Sequence, residues 1–365
     1  MRKSGLSWSP CRSVCVFVAL IAACSPRTDI VARHVARDAQ VEAGCSDAAS
    51  CDAAVNMNCD GGACAPGTCS AAACTSIANT ATFCSAAQPA SVTLGDGCDA
   101  AGHATFRYAV CACGDLITNS SLEIDALDGT AVPASASISI NDELRLGPDT
   151  NIDGSVYVTG RYGAATPPRL TGSLIQNAEP SCACDATDLL DIPALISARA
   201  NDNDDALLGL TARTLENFGA ERSLTLDCGR YYFDRVAGGR LAIEARGRIA
   251  VFIAGNLALD GGLFLTLQDT ARAEIFVGGN VQVSGRLELG TSNDGNRVLL
   301  AVHGNGTVNL EDAVLDGTLY APRAELVTRG PFELHGSLFV NRANFGAPAR
   351  IHYQPLAAAQ TTCAP

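Results

Sequence analysis

This chain of 365 residues is poor in charge and in aromatic rings. Charged residues make up 17% of it, against roughly a quarter in an ordinary globular domain, aromatics make up 5%, and Lys3 is the single lysine. Twenty-five basic residues stand against 38 acidic ones, a formal net charge of −13. Phosphate binding needs a basic face, so nucleic acid is excluded as a partner. Attraction to anionic lipid headgroups is excluded on the same ground. The apolar run Val14–Ala23 (VCVFVALIAA) is about half of the roughly 20 residues a spanning helix needs. There is no Gly-x-Ser-x-Gly, His-Glu-x-x-His or Gly-x-x-x-x-Gly-Lys phrase, so a hydrolase elbow, a zincin and a P-loop all lack support. Gly304-Asn-Gly306 lacks the third glycine of a dinucleotide loop. No catalytic residue, no cofactor and no enzyme activity are expected. What is present is Gly (35 residues), Ala, Val and Leu, a composition suited to many short strands and tight turns. The length implies two or three structural regions.

The amino terminus reads as an export signal. Arg2, Lys3 and Arg12 precede the apolar run, which closes on Leu20-Ile21-Ala22-Ala23-Cys24. That closing phrase resembles the lipobox of bacterial lipoproteins, and the resemblance implies cleavage before Cys24 and acylation of its thiol. Several acyl chains on one residue exceed the marginal hold of a single chain, at about 0.8 kcal/mol per buried CH₂. By the family's sorting rules Ser25, being neither Asp nor Lys, favours the outer membrane. The alternative is an ordinary secretory signal with a chance cysteine. Of 17 cysteines, Cys11 and Cys15 leave with the leader and Cys24 carries lipid. The fourteen that remain are Cys45, Cys51, Cys59, Cys64, Cys69, Cys74, Cys84, Cys98, Cys111, Cys113, Cys182, Cys184, Cys228 and Cys363. An even number in an exported chain reads as disulfides, with the connectivity left open. Cys59, Cys64, Cys69 and Cys74 recur every five residues, whereas zinc sites favour gaps of two to four with histidine partners. No histidine lies between positions 35 and 102, and no metal site is expected in the chain.

The pattern predicts a mainly β chain: a solenoid of stacked coils with a short helical insertion and a Cys-rich tether. The boundaries are 1–23 signal peptide, 24–82 Cys-rich low-complexity tether, 83–181 β-rich region, 182–220 helical insertion, 221–356 β-solenoid and 357–365 tail. The tether has almost no large apolar residues and cannot offset its ordering entropy without disulfides. Ser137-Ile-Ser-Ile-Asn141 and Ser155-Val-Tyr-Val-Thr159 show the period of two that strands require. Leu189, Leu190, Ile192, Leu195 and Ile196 recur at helical spacing, with Asp188 or Asp191 as the cap and Pro193 in the first turn. A second short helix is expected near 212–218. Beyond Ser223 a repeat appears: Val251-Phe-Ile253, Ile275-Phe-Val277, Ala301-Val-His303, Leu319-Tyr-Ala321 and Leu338-Phe-Val340. Gly317-Thr-Leu-Tyr320 and Gly336-Ser-Leu-Phe339 begin alike, as do Gly154-Ser-Val-Tyr157 and Gly172-Ser-Leu-Ile175. Spacings near 20 residues mean coils stacked along an axis. The flanking positions, aliphatic except His303, are assigned inward. Phe252, Phe276, Tyr320 and Phe339 then face outward and need a cover, either the 185–218 helices or another molecule; the opposite assignment stays open.

Several phrases carry a wider likeness: Phe106-Arg-Tyr-Ala-Val-Cys-Ala-Cys-Gly-Asp115, Cys182-Ala-Cys-Asp185, Asn201-Asp-Asn-Asp204, Leu226-Asp-Cys-Gly-Arg-Tyr-Tyr232, Gly317-Thr-Leu-Tyr-Ala-Pro-Arg323 and Ile351-His-Tyr353. Over residues 83–356 the chain resembles uncharacterised lipoproteins of myxobacterial type. Their C-terminal β domain is also found in pilus-assembly proteins of the PilX kind and is similar to polymer-forming bactofilins. Gln354 stands where that family commonly has Asp. The resemblance implies a fold and an address but brings no catalytic residue.

Other candidate sites are few. Asn201-Asp-Asn-Asp-Asp205 is either a solvated helix end or a Ca²⁺ loop. An EF-hand starting at Asp202 would place Leu207 at the required glycine and Arg213 at the required glutamate. The five histidines stand at 34, 103, 303, 335 and 352, and His303 and His352 could meet across coils. Arg323 and Arg342 share one column of the repeat and could grip an acidic polysaccharide, or form a solvated edge. Asp260, Glu288, Asp312 and Asp316 fall in no single column, as a lyase would require. The sequence therefore points to a lipid-anchored cell-envelope protein with a structural, adhesive or scaffolding role, its partners the membrane and either itself or a surface polysaccharide. The alternatives are a carbohydrate-binding module and a β-helix polysaccharide lyase.

Overall fold

The computed structural model describes residues 83–84, 106–126, 136–187, 189–290 and 297–354. The signal peptide, Cys24, the whole tether and the tail lie outside these residues. The short alternating segments become 24 strands, all paired in parallel, in a β-solenoid of about ten coils. Each coil contributes a rung to three ladders. The first ladder runs through Gly229–Phe233, Arg248–Ile253, Arg272–Val277, Val298–Val302 and the starts of Gly317–Thr328 and Leu338–Phe345. It continues without a break into Val110–Ala112, Ile138–Ile140, Val156–Val158 and Leu174–Gln176.

That continuation defines the topology. The last coil of the C-terminal segment is covered by the first coil of the N-terminal segment. Leu338–Phe345 pairs with Val110–Ala112 and Leu116–Thr118, and Ala349–Tyr353 pairs with Leu122–Ala126. The chain coils from 106 to 176, returns through a strap (177–215), restarts at Glu216 and coils to Tyr353, beneath its own beginning. Regions 83–181 and 221–356 are therefore separate in sequence but not in the stack.

Strand alternation sorts the side chains of the first ladder into two cores. Val251, Ile275, Leu300, Leu319 and Leu338 point inward with Ile253, Val277, Val302, Ala321 and Val340. Each fully buried aliphatic contributes roughly 1.5–3 kcal/mol. Phe252, Phe276, Ala301, Tyr320 and Phe339 point outward into a second buried cluster. The alignment of Ala301-Val302-His303 is corrected by one residue. Ala301, not Val302, lies level with Phe276 and Tyr320, so Leu300 and Val302 take the inward positions. A slip of one residue exchanges the two faces of a strand, and His303 thereby leaves the inward column. The repeated Gly-x-Leu-aromatic phrase also gains a reason. A Cβ on Gly317 would lie 1.9 Å from the Val298 carbonyl oxygen, and one on Gly336 1.9 Å from that of Gly317. Only glycine allows coils to approach so closely at this corner.

The outward aromatics are covered by the chain's own strap. Phe252 and Phe276 stack with centroids 5.0 Å apart and planes 8° apart, and Phe106 lies 5.9 Å from Tyr320. Over them lies helix α1 (Ile192–Arg199), with Ile192 and Ile196 buried. Asp191 caps it, accepting from the Ala194 amide at 3.1 Å, and Pro193 sits in the first turn. Leu190 N–H donates to the Tyr320 hydroxyl. The expected second helix at 212–218 is not formed. A 3₁₀ turn at Asp205–Leu208 takes its place, and strand Glu216–Leu226 begins within the supposed helix because Glu216 and Phe218 pair with Ala237 and Gly238.

Among the described residues three disulfides occur: Cys111–Cys182 and Cys113–Cys184 fix the strap, and Cys84–Cys228 ties residues 83–84 to the start of the C-terminal coils. The other candidate cysteines (45, 51, 59, 64, 69, 74, 98 and 363) lie outside the described residues. Asn141 adds two hydrogen bonds to the Cys182 backbone, at 3.1 and 3.3 Å.

Glu274 is the buried acid of the covered face, only 7% exposed, in register with Ala250 and Leu299. Burial pushes its carboxyl up from an ordinary 4.5 to about 8, although Arg248 and Arg272 pull the other way. The folded state then keeps a proton that the unfolded chain releases, so stability falls as pH rises from about 4.5 to about 8. Glu274→Gln is expected to leave the melting temperature at pH 4 unchanged. At pH 8 it should stabilise by roughly 2–4 kcal/mol, at about 1.4 kcal/mol per pKa unit. Thermal melts across this range check it; parallel curves for both proteins would refute the assignment.

Candidate functional site

On the third ladder, residues after the inward Leu315, Leu334, Ile351 and Ile124 turn outward in four successive coils. They form one column: Asp316, His335, His352, Asp125. Adjacent parallel strands lie about 4.8 Å apart, and the two imidazole centroids are 4.9 Å apart with planes at 56°. Asp316 is nearly buried; its Oδ1 is in short contact with His335 Nδ1. At the other end Asp125 Oδ1 lies 2.7 Å from His352 Nδ1. Asp125 belongs to the N-terminal segment, so this pair crosses the junction between the two segments.

Glu333, two residues before His335 on the same outer face, completes the group. Its Oε1 lies 2.9 Å from His335 Nε2 and 4.0 Å from His352 Nε2. Arg350, opposite Glu333 in the ladder, is drawn instead to Glu123, with Nε–Oε2 3.3 Å. The Asp316 carboxylate on His335 Nδ1 favours the imidazolium and raises its pKa; desolvation opposes this and Glu333 adds to it. A raised histidine pKa stabilises the fold at low pH, and that contribution is lost as pH rises through the raised value. The ligand-capable atoms of Glu333, His335 and His352 all lie within 4.8 Å of one another.

The column was not identified from the sequence, although a signal exists. Pro331-Phe-Glu-Leu-His335 and Pro348-Ala-Arg-Ile-His352 are the same phrase, Pro-x-x-aliphatic-His. The sequence pairing of His303 with His352 is corrected: His352 meets His335. His303 lies instead near Asp191 and Arg323, its pKa lowered by desolvation and by Arg323 against the pull of Asp191.

Two further expectations change. Arg323 and Arg342 do not form a pair, because the register shifts between Ala321 and Glu325. That shift sets Arg342 opposite Glu325, with Nη2–Oε2 3.9 Å, while Arg323 is exposed. The Asn201–Asp205 run is a solvated helix end only in its first part, where Asn201 is exposed and Asn203 donates to the Arg199 and Ala200 carbonyls. Asp204 and Asp205 are 3% and 5% exposed and accept the backbone N–H groups of Arg230 (2.7 Å) and Tyr232 (3.1 Å). These amides belong to Gly229–Phe233, which begins the first ladder, so the acids close a sheet edge. Burial raises Asp205 to about 6.

A shallow recess of about 160 Å³ between Gln282, Asn309, Glu311 and Arg329 falls below the roughly 300–1,000 Å³ of small-molecule pockets. Among the described residues no helix is long and apolar enough to cross a membrane.

The chain is a β-solenoid with its outer aromatic column sealed by its own strap. Residues 185–359, the strap and the C-terminal coils, match the model of a family described as a domain of unknown function (DUF7305). Comparison with curated proteins found no match. Among solved structures the chain is similar to an ice-binding protein from an Antarctic ascomycete, Antarctomyces psychrotrophicus, at 13% identity and a TM-score of 0.30, over 70% of this chain and 97% of that one.

Proposed function

We propose that this protein is an exported, lipid-anchored component of the outer membrane whose solenoid has a structural, adhesive or scaffolding role without catalysis. The observation that carries this reading is the stack itself. About ten parallel coils, drawn from two chain segments, stack without a break across the junction, and the recess at Gln282, Asn309, Glu311 and Arg329 is only about 160 Å³. The anchor rests on Leu20-Ile21-Ala22-Ala23-Cys24, and the likeness to lipoproteins of myxobacterial type agrees with it. The tether then holds the rod away from the membrane. Its partners are the membrane, through the anchor, and either a second copy or a surface polysaccharide.

Intact-mass analysis of the protein from host membranes tests the anchor. The expected mass lacks residues 1–23 and carries acyl chains on Cys24, while Cys24→Ala appears in the soluble fraction. An unacylated, soluble mature form would overturn the proposal.

A further inference from the structure

We propose that Glu333, His335 and His352 form a binding site for a divalent transition-metal ion of the zinc type, bound across the coils next to the junction of the two chain segments. Three independent features converge. First, each histidine has its Nδ1 engaged by a carboxylate of a neighbouring coil, Asp316 for His335 and Asp125 for His352. A carboxylate on one imidazole nitrogen fixes the ring and leaves the other nitrogen free to ligate, the arrangement metal-bound histidines usually show. Second, both Nε2 atoms turn toward the same carboxylate oxygen, at 2.9 and 4.0 Å. Zinc–ligand bonds of about 2.0–2.1 Å in a tetrahedron place ligand atoms about 3.3–3.5 Å apart. The two observed separations bracket that value. Third, three carboxylates surround two imidazoles, and Arg350, opposite Glu333 in the ladder, is turned to Glu123. A dication compensates that local negative charge.

Two nitrogens and one oxygen suit zinc, copper(II) or nickel(II) better than Ca²⁺ or Mg²⁺, which prefer all-oxygen shells. The protein supplies three ligands, and water completes the tetrahedron on the half-exposed outer face. Bound there, the ion joins the coils of His335 and His352, while Asp316 and Asp125 extend the network one coil further on each side. All three ligands belong to the C-terminal segment, and the Asp125–His352 contact carries the network across the junction.

Titration of the oxidised full chain with Zn²⁺ alone, by calorimetry and thermal melting, is the test. The wild type is expected to bind one ion saturably and to melt several degrees higher with Zn²⁺, with no such shift in Ca²⁺. Glu333 is partly exposed, so Glu333→Gln should fold normally and weaken binding at least tenfold. The His335→Gln/His352→Gln double variant should abolish it. Asp125→Asn, which touches no ion, should weaken it about ten- to a hundredfold. No saturable Zn²⁺ binding by the wild type would overturn the proposal. So would binding that survives unchanged in Glu333→Gln and in the double histidine variant, since the ion would then sit elsewhere.

Discussion

Leu338→Asp is expected to prevent the solenoid from folding. Leu338 is 1% exposed and lies in the inward column between Leu319 below and Val110 above. Its loss removes roughly 2–5 kcal/mol of packing, the range for large-to-small changes in a core. The carboxylate adds several kcal/mol more, since among these aliphatic neighbours it has neither water nor a partner. The total approaches the whole stability of an ordinary domain, about 5–15 kcal/mol. The position is also the junction, where the last C-terminal coil meets the first N-terminal one. Arg323→Asp, on an exposed side chain of the preceding coil, should fold normally and serves as the control. Circular dichroism and solubility decide it. A soluble Leu338→Asp protein with the wild-type melting temperature would show that this column does not face inward.

Loss of both strap disulfides is expected to cost far more than the sum of their separate losses. Cys111–Cys182 and Cys113–Cys184 each span 71 residues and close almost the same loop. A single cross-link of that span removes chain entropy worth about 4 kcal/mol. Once one is present the other has little entropy left to remove. Either pair replaced by alanine should therefore lower stability modestly, and both together by about 4 kcal/mol. Denaturant titration of the two paired variants and the quadruple variant measures the coupling. Strict additivity would contradict the shared loop. Hydrogen exchange under reducing conditions should rise in 106–176 and in the strap well before it rises in 240–353, because those coils are what the two bonds tie down. Uniform protection after reduction would contradict this.

Much of this architecture was legible in the residues. Alternation in Ser137-Ile-Ser-Ile-Asn141 and the recurring Gly-x-Leu-aromatic phrase needed only local rules, since period two places neighbours on opposite faces of a strand and glycine marks the tight corner. The strap helix was legible too, from Asp191, Pro193 and the apolar spacing of Ile192 and Ile196. The coil at Val298–Val302 was misread by one residue because a short apolar run fits either register, and only the ladder sets Ala301 level with Phe276. The acids of 201–205 read as solvated because strong charge usually is. Asp204 and Asp205 are buried instead, because the edge amides of Arg230 and Tyr232 offer each a hydrogen bond. His335 and His352 share a phrase, but only the fold brings Asp125 to them, across 227 positions of sequence.

By itself the sequence determined the strand periodicity, the stacking of coils and the helix in the strap, while the choice of which column faces inward stayed open until the fold was known. The periodicity, the stacking and the helix follow from interactions between residues close in the chain or repeated at a set interval. Only the tertiary structure decided that the aromatics are sealed by the strap, that Cys111 and Cys113 join Cys182 and Cys184, and that the last coil lies against the first. The physical reason is that a parallel strand edge offers the same row of N–H and C=O groups to any parallel strand. Which coil fills it depends on the return path of the chain, and no local pattern of residues records that path.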